Sequence, residues 1–258
     1  MTYSIAYRRI LNKMGYYNYQ NGLIYRHLNQ SGGWDTHLEH CRRFILKALD
    51  FYKPEKVTVL GSGWLLELPI AEMIERINKV CLVDIVHPPD VISQTRNFKN
   101  VELVELDVTG GLIEEVWKNA GGYFYINRLK SLRNIAIPEY LPDSDPGIVI
   151  SLNILTQLES LLVDFLKKRS KINEEEFSFF RSEIQRKHID FLKKYRSILI
   201  SDIAEVITNK SGSITTIPTL ATDLPSGQNK EEWTWNFDQT GADFYNSRSI
   251  LKVVALTI

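Results

Sequence analysis

The chain has 258 residues, 44% of them hydrophobic and 24% charged, with 31 basic side chains against 31 acidic ones. That length carries one large α/β core with room for an appendage, and the balanced charge gives no electrostatic case for a nucleic-acid or polyanion partner. Two cysteines, Cys41 and Cys81, make neither a disulfide framework nor a zinc site. With no signal-type apolar run near Met1 and no stretch long enough to span a bilayer, a soluble, cytoplasmic protein is expected.

Apolar residues scattered from Tyr3 to Met14 predict a helix, and the Tyr- and Asn-rich stretch from Gly15 to Gly33 reads as a polar connection. Thr36 and Glu39 form a capping-box pair ahead of Leu38, Cys41, Phe44, Ile45, Ala48 and Leu49, and Pro54 ends that helix. Residues 1–50 thus read as an N-terminal helical extension and residues 51–258 as the main domain. Gly32-Gly33-Trp34-Asp35 is either a lid over a site in that domain or a turn anchored by Trp34. From Lys56 short apolar runs alternate with amphipathic ones. Val57–Leu60 is a strand candidate, followed by Gly61-Ser62-Gly63 and by Leu66, Ile70, Met73, Ile74 and Ile77 at helical spacing. Val80–Val83 is a second strand, closed by Asp84, and Val101–Leu106 a third, closed by Asp107. Leu112 to Ala120 predicts a short helix, and the Pro- and Gly-marked stretch 121–146 an insertion. Gly147–Leu152 is a fourth strand, and two long helices follow over about 154–169 and 174–195, the second capped by Asn173 with Glu176. Ser197–Ser201 is a fifth strand, closed by Asp202, and 207–231 reads as a long loop. Trp233–Phe237 and Ile250–Leu256 pair as a closing hairpin.

Strands alternating with helices imply a Rossmann-like α/β fold: a mostly parallel sheet of about seven strands, helices on both faces, and an antiparallel last strand. In such a sheet a ligand lies across the C-terminal strand ends. There the chain places Gly61 and Gly63, then Asp84, 21 residues after Gly63, then Asp107. Glycines let a ligand meet bare backbone, an acid at the second strand end accepts two hydrogen bonds from a ribose diol, and a polar residue at the third meets an adenine edge. A nucleoside-containing ligand is the expectation.

The runs VTVLGSG, LVD, VELD and IVISLNIL resemble motif I, the acidic loop, motif II and the fourth-strand motif of class I S-adenosylmethionine-dependent methyltransferases, over roughly residues 55–258. The resemblance implies S-adenosylmethionine as cofactor, with Gly61, Ser62 and Gly63 beside its methionine part, Asp84 on the ribose hydroxyls, Asp107 with Val108 at the adenine and Asn153 near the methyl group. It departs from the pattern at Val59, where the motif is usually acidic, and at Leu65, where it usually has glycine. Asn153 also lacks the Pro-Pro-aromatic run of amino-methylating branches. No catalytic residue is legible, because a sulfonium methyl needs alignment more than activation.

The aromatics Tyr123, Phe124, Tyr125, Tyr140, Trp233 and Trp235 point to a small or planar organic acceptor. Two alternatives stand beside methyl transfer. A nicotinamide oxidoreductase needs glycine where Leu66 stands, and a non-catalytic binder of the same fold would tolerate the changes at Val59 and Leu65. His37 and His40, three apart on one helix, lack a third metal ligand, so no metal is expected. His188, on the stripe Phe177, Phe180, Ile184, Phe191, reads as a hydrogen-bonded histidine at the core edge. Arg42, Arg43 and Lys47 read as the wet face of a helix.

Overall fold

The computed structural model describes residues 3–121, 129–241 and 247–258. Of the residues singled out above, Tyr123, Phe124 and Tyr125 lie outside the described residues, as does the part of the stretch 121–146 from 122 to 128. The chain opens with three helices, α1 (Ile5–Met14), α2 (Tyr16–Asn29) and α3 (Asp35–Tyr52). Ser4 caps α1 by accepting from the Tyr7 amide, and Gly15, at φ 91°, separates it from α2. The second helix stands where a polar connection was expected, since its Tyr, Asn and Gly content gives it weak intrinsic preference. Tertiary bonds supply what propensity does not, as the site below makes clear. The expected capping box at Thr36 is also replaced: Trp34 occupies the N-cap, and no side chain bonds the first turn of α3. Packing sets that start instead, because Trp34 is buried and its indole N–H donates to the Phe237 carbonyl.

Alternation then follows: β1 (Lys56–Leu60), α4 (Ile70–Arg76), β2 (Lys79–Asp84), α5 (Pro89–Thr95), β3 (Val101–Glu105), α6 (Leu112–Ala120), β4 (Ile148–Leu152), α7 (Ser160–Lys167), α8 (Glu174–Leu192) and β5 (Ser197–Thr208). The chain closes with β6 (Ile214–Pro218), β7 (Gln228–Asp238) and β8 (Arg248–Thr257). Among the described residues these form one eight-stranded sheet in the order β3-β2-β1-β4-β5-β8-β7, with β6 paired to β5 off that path. The five strands from β3 to β5 are parallel, while β8 runs antiparallel between β5 and β7. The fold is Rossmann-like, with the inserted antiparallel strand that the resemblance to class I methyltransferases implies.

Strand alternation sends side chains to two cores. Leu60, Val83, Val149 and Leu199 pack beneath α1, α6, α7 and α8. Val57, Val59, Val80, Leu82, Ile150 and Ile200 pack against α3 and α4. Val59, where the resembling motif is usually acidic, is therefore a fully buried core residue.

The eighth strand comes from the stretch 207–231. There β5 runs on to Thr208 and pairs with β6, whose five residues are all exposed, so no apolar face announced it. The helix expected over 154–169 shrinks to Ser160–Lys167, because the chain leaves β4 through Asn153 at φ 48° and turns before it coils. Likewise the helix after the glycine turn starts only at Ile70, behind Pro69. No helix among the described residues is long and apolar enough to cross a membrane.

Candidate functional site

The ends of β1, β2 and β4 form the floor of a pocket. The turn after β1 passes Gly61 (φ 81°), Gly63 (φ 48°) and Leu65 (φ 62°), three residues in the left-handed region. Leu65 thus keeps, at the cost of a strained side-chain residue, the conformation that a glycine adopts freely. Gly61 is pressed on β4, where an added Cβ would lie 2.7 Å from the Leu152 carbonyl oxygen. Gly63 is the opposite case: a Cβ there would meet nothing within 4 Å, because it borders the pocket. Its amide donates to Asp84 Oδ2 at 2.7 Å.

Asp84 is buried, and its Oδ1 accepts from the Ile85 amide (2.7 Å) and from Gln20 Nε2 (3.1 Å). Asp107 is also buried; Oδ1 accepts from the Thr109 amide at 2.9 Å, and Oδ2 from the Tyr7 hydroxyl at 3.2 Å. Burial raises both carboxyls above their ordinary range, against the hydrogen bonds that lower them. Val108 lines the same pocket, and Ser62 is buried in its floor with Oγ unpartnered.

The roof is the unexpected helix α2. Tyr16, Tyr19, Gln20 and Leu23 face the cavity. Trp64 Nε1 donates to the Gln20 carbonyl at 2.9 Å, and the Tyr19 hydroxyl to Gln157 Oε1 at 3.1 Å. Trp34 and Trp235 form a side wall, in edge-to-face contact with centroids 4.8 Å apart. Gln30 Nε2 ties the end of α2 to the Phe237 carbonyl at 2.7 Å.

Behind that wall lies His37. Trp235 stacks on its ring at 3.8 Å, and Trp233 Nε1 donates to its Nδ1 at 3.0 Å. An indole nitrogen only donates, so Nδ1 is bare and the ring proton sits on Nε2. Nε2 lies 3.3 Å from the Asn153 side-chain amide, whose oxygen is the group that can accept its proton, and 3.9 Å from Glu67 Oε1. Burial lowers the His37 pKa to about 3, so the ring stays neutral. Glu67, pushed upward by its own burial, lines the pocket beside Asn153.

The structure therefore brings Gly61, Gly63, Asp84, Asp107, Val108 and Asn153 to one cavity, while Ser62, between the two glycines, is buried behind its lining. Sequence reasoning missed Tyr16, Tyr19, Gln20, Leu23 and Glu67 of that cavity, together with Tyr7, which donates to Asp107, and the contacts of Trp235. Glu67 left one usable signal, a single charge inside the apolar run from Trp64 to Ile70. Among the described residues no group of three or more His, Cys, Asp or Glu side chains is placed to hold a metal ion. His188 is buried on Ser151, with Oγ and Nε2 2.9 Å apart, away from the cavity. Tyr140 packs on Phe191 rather than on the cavity, and Arg43 and Lys47 lie exposed beside Glu231.

Chemically the pocket is one-sided. Glu67, Asp84 and Asp107 line it, and among the described residues no lysine, arginine or histidine does.

No family model matches the chain, and no curated protein matches it. Solved structures are similar to it at low identity. One is the Burkholderia thailandensis 1,6-didemethyltoxoflavin-N1-methyltransferase with bound 1,6-didemethyltoxoflavin and S-adenosylhomocysteine, at TM-score 0.41 and 10% identity over 100% of this chain and 92% of that one. The methyltransferase domain of bacterial CtHen1-CN aligns at TM-score 0.33 and 10% identity, covering 83% of this chain and 98% of that one. A DhpI–SAM–HEP complex aligns at TM-score 0.33 and 10% identity, covering 91% and 97%.

Proposed function

We propose that the chain is an S-adenosylmethionine-dependent methyltransferase that acts on a small-molecule acceptor by direct methyl transfer. The observation that carries this reading is the charge of the pocket, three carboxylates and no facing cation among the described residues. A dinucleotide would bring phosphates into that space. One phosphate charge about 6 Å from one such carboxylate costs roughly 3 kcal/mol at an effective dielectric of about 20. A nucleoside with a sulfonium and an ammonium meets the same carboxylates with opposite sign, and aromatic faces such as Trp34 and Trp235 favour a cation as well.

The residues present fit that group. Gln20 Oε1, on the cavity wall, is buried without a partner, which is unfavourable unless a ligand supplies one. By this reading Gly61, Ser62 and Gly63 border the methionine part, and Asp84 accepts the ribose hydroxyls where it now accepts from Gln20. Asp107, largely engaged by Thr109 and Tyr7, lies with Val108 at the adenine, and Asn153 stands near the methyl group. When bound, the cofactor supplies an electrophilic methyl carbon on a sulfur that leaves uncharged. The chain's own part is alignment under a roof that excludes water.

Calorimetric titration tests this. The protein is expected to bind S-adenosylhomocysteine and to leave NADH unbound. Asp84→Ala is expected to weaken S-adenosylhomocysteine at least about tenfold, since charge-assisted bonds are worth roughly 1.5–3 kcal/mol each, and Asp107→Ala to weaken it less. Equal affinity in all three proteins would move the nucleoside away from these strand ends.

A further inference from the structure

Glu67 is the carboxylate that the resemblance does not account for. It sits in the turn between Gly63 and α4, lines the cavity, and lies against His37 and Asn153. A neutral histidine gives it no countercharge, and Arg42, whose charge favours the ionised form from outside the cavity, spends a guanidinium N–H on the Leu66 carbonyl. One further wall residue holds a polar atom without a partner among the described residues: Trp235, 3% exposed, has an unpaired indole N–H. The wall around it is aromatic: Trp34 meets Trp235 edge to face, and Trp235 stacks on His37 at an interplanar angle of 3°.

We infer that the methyl acceptor is a planar compound carrying a basic amine, its ring held at the Trp34–Trp235 wall and its nitrogen on the Glu67 carboxylate. The inference deepens the methyltransferase reading and rests on it. A cation is what a carboxylate favours when it faces a cavity lined, among the described residues, by no basic side chain, and an anionic acceptor would meet a third like charge beside Asp84 and Asp107. The chemistry balances. The bound ammonium first passes one proton to Glu67, which frees the nitrogen lone pair. The lone pair then forms the N–CH3 bond as the C–S bond breaks, and the bonding electrons stay on sulfur as an uncharged thioether. The product nitrogen carries the positive charge, and Glu67 releases its proton to solvent. Burial of Glu67, which favours its protonated form, suits it to take that proton.

Three probes that share one ring separate the outcomes: tryptamine, the neutral alcohol tryptophol, and the anion indole-3-acetate. Each is titrated by calorimetry onto the full chain with S-adenosylhomocysteine present. Tryptamine is expected to bind at least about tenfold more tightly than indole-3-acetate, with tryptophol between. In Glu67→Gln that preference is expected to fall below about threefold, while S-adenosylhomocysteine, which lacks the sulfonium charge, still binds saturably. The inference is overturned if wild type prefers the anion, or if none of the three probes binds. It is equally overturned if Glu67→Gln leaves the preference intact, or if that variant loses S-adenosylhomocysteine, which would place Glu67 in the cofactor subsite. Failure of wild type to bind S-adenosylhomocysteine, with the cation preference retained and dependent on Glu67, overturns the methyltransferase reading and leaves the amine site standing.

Discussion

At the scale of the residue, two glycines two positions apart do different work. An alanine Cβ at Gly61 would collide with the Leu152 carbonyl oxygen and with Ile154, whereas at Gly63 it would stand in open space at the pocket edge. Both carry positive φ, so both substitutions strain the backbone, by roughly 1–2 kcal/mol. Gly61→Ala is expected to lower the melting temperature well beyond that strain. Gly63→Ala is expected to melt only slightly lower, yet to lose S-adenosylhomocysteine affinity by at least about tenfold, because the new methyl occupies ligand space. Parallel melting curves and titrations check the pair, and the same loss in both readouts for both variants would refute the distinction. The glycines, Asp84, Asp107 and Asn153 were legible in the sequence because strand ends are legible, and these residues sit on them. Tyr7, Gln20 and Glu67 were not. Each comes to the cavity or to one of its carboxylates from a segment whose course is set by distant contacts, and spacing along the chain carries no trace of that.

Among the elements, α2 is the one whose existence the sequence hid and whose position matters most. Its neighbours α1 and α3 bury Leu11, Met14, Phe44 and Ile45 in the two cores. By contrast α2 buries Gln20 alone and is held chiefly by polar bonds, from Gln20 to Asp84, from Trp64 to Gln20 and from Tyr19 to Gln157. Such bonds net about 1 kcal/mol each, far less than an apolar face contributes, so α2 opens at lower cost than its neighbours. Hydrogen exchange is expected to be faster over 16–29 than over 5–14 or 35–52, and to slow over 16–29 when S-adenosylhomocysteine binds. Uniform protection across the three helices, unchanged by ligand, would make α2 a fixed wall instead of a lid. The remaining strands and helices were readable where one face is apolar, as in β1, β4 and α8. Where both faces are wet, as in β6, periodicity has nothing to report.

Over the whole molecule, stability responds to pH through its buried ionisable groups. Burial lowers His188 to about 4 from an ordinary 6.5, so the unfolded chain takes the proton first as pH falls. The contribution is complete above pH 6.5 and is lost as pH drops toward 4, on the order of 3 kcal/mol in all. His37, lowered to about 3, acts in the same direction, while Glu159, raised to about 7, opposes both between pH 4.5 and 7. His188→Gln keeps a hydrogen-bonding group for Ser151 and removes the ionisable ring. Its urea midpoint is therefore expected to fall less steeply than that of wild type between pH 6.5 and 4, and parallel slopes would clear His188 of the effect. The sheet order has a consequence of another kind, for the time at which the protein assembles during synthesis. Strand β8, residues 248–257, lies inside the sheet between β5 and β7, and Trp34 and His37 wait on partners at 233–237. A ribosome that has delivered every glycine and acid of the floor has not yet delivered the wall or the strand that anchors it. The nascent chain can thus lay down β1 to β4 early, but its pocket closes only as its last strand emerges.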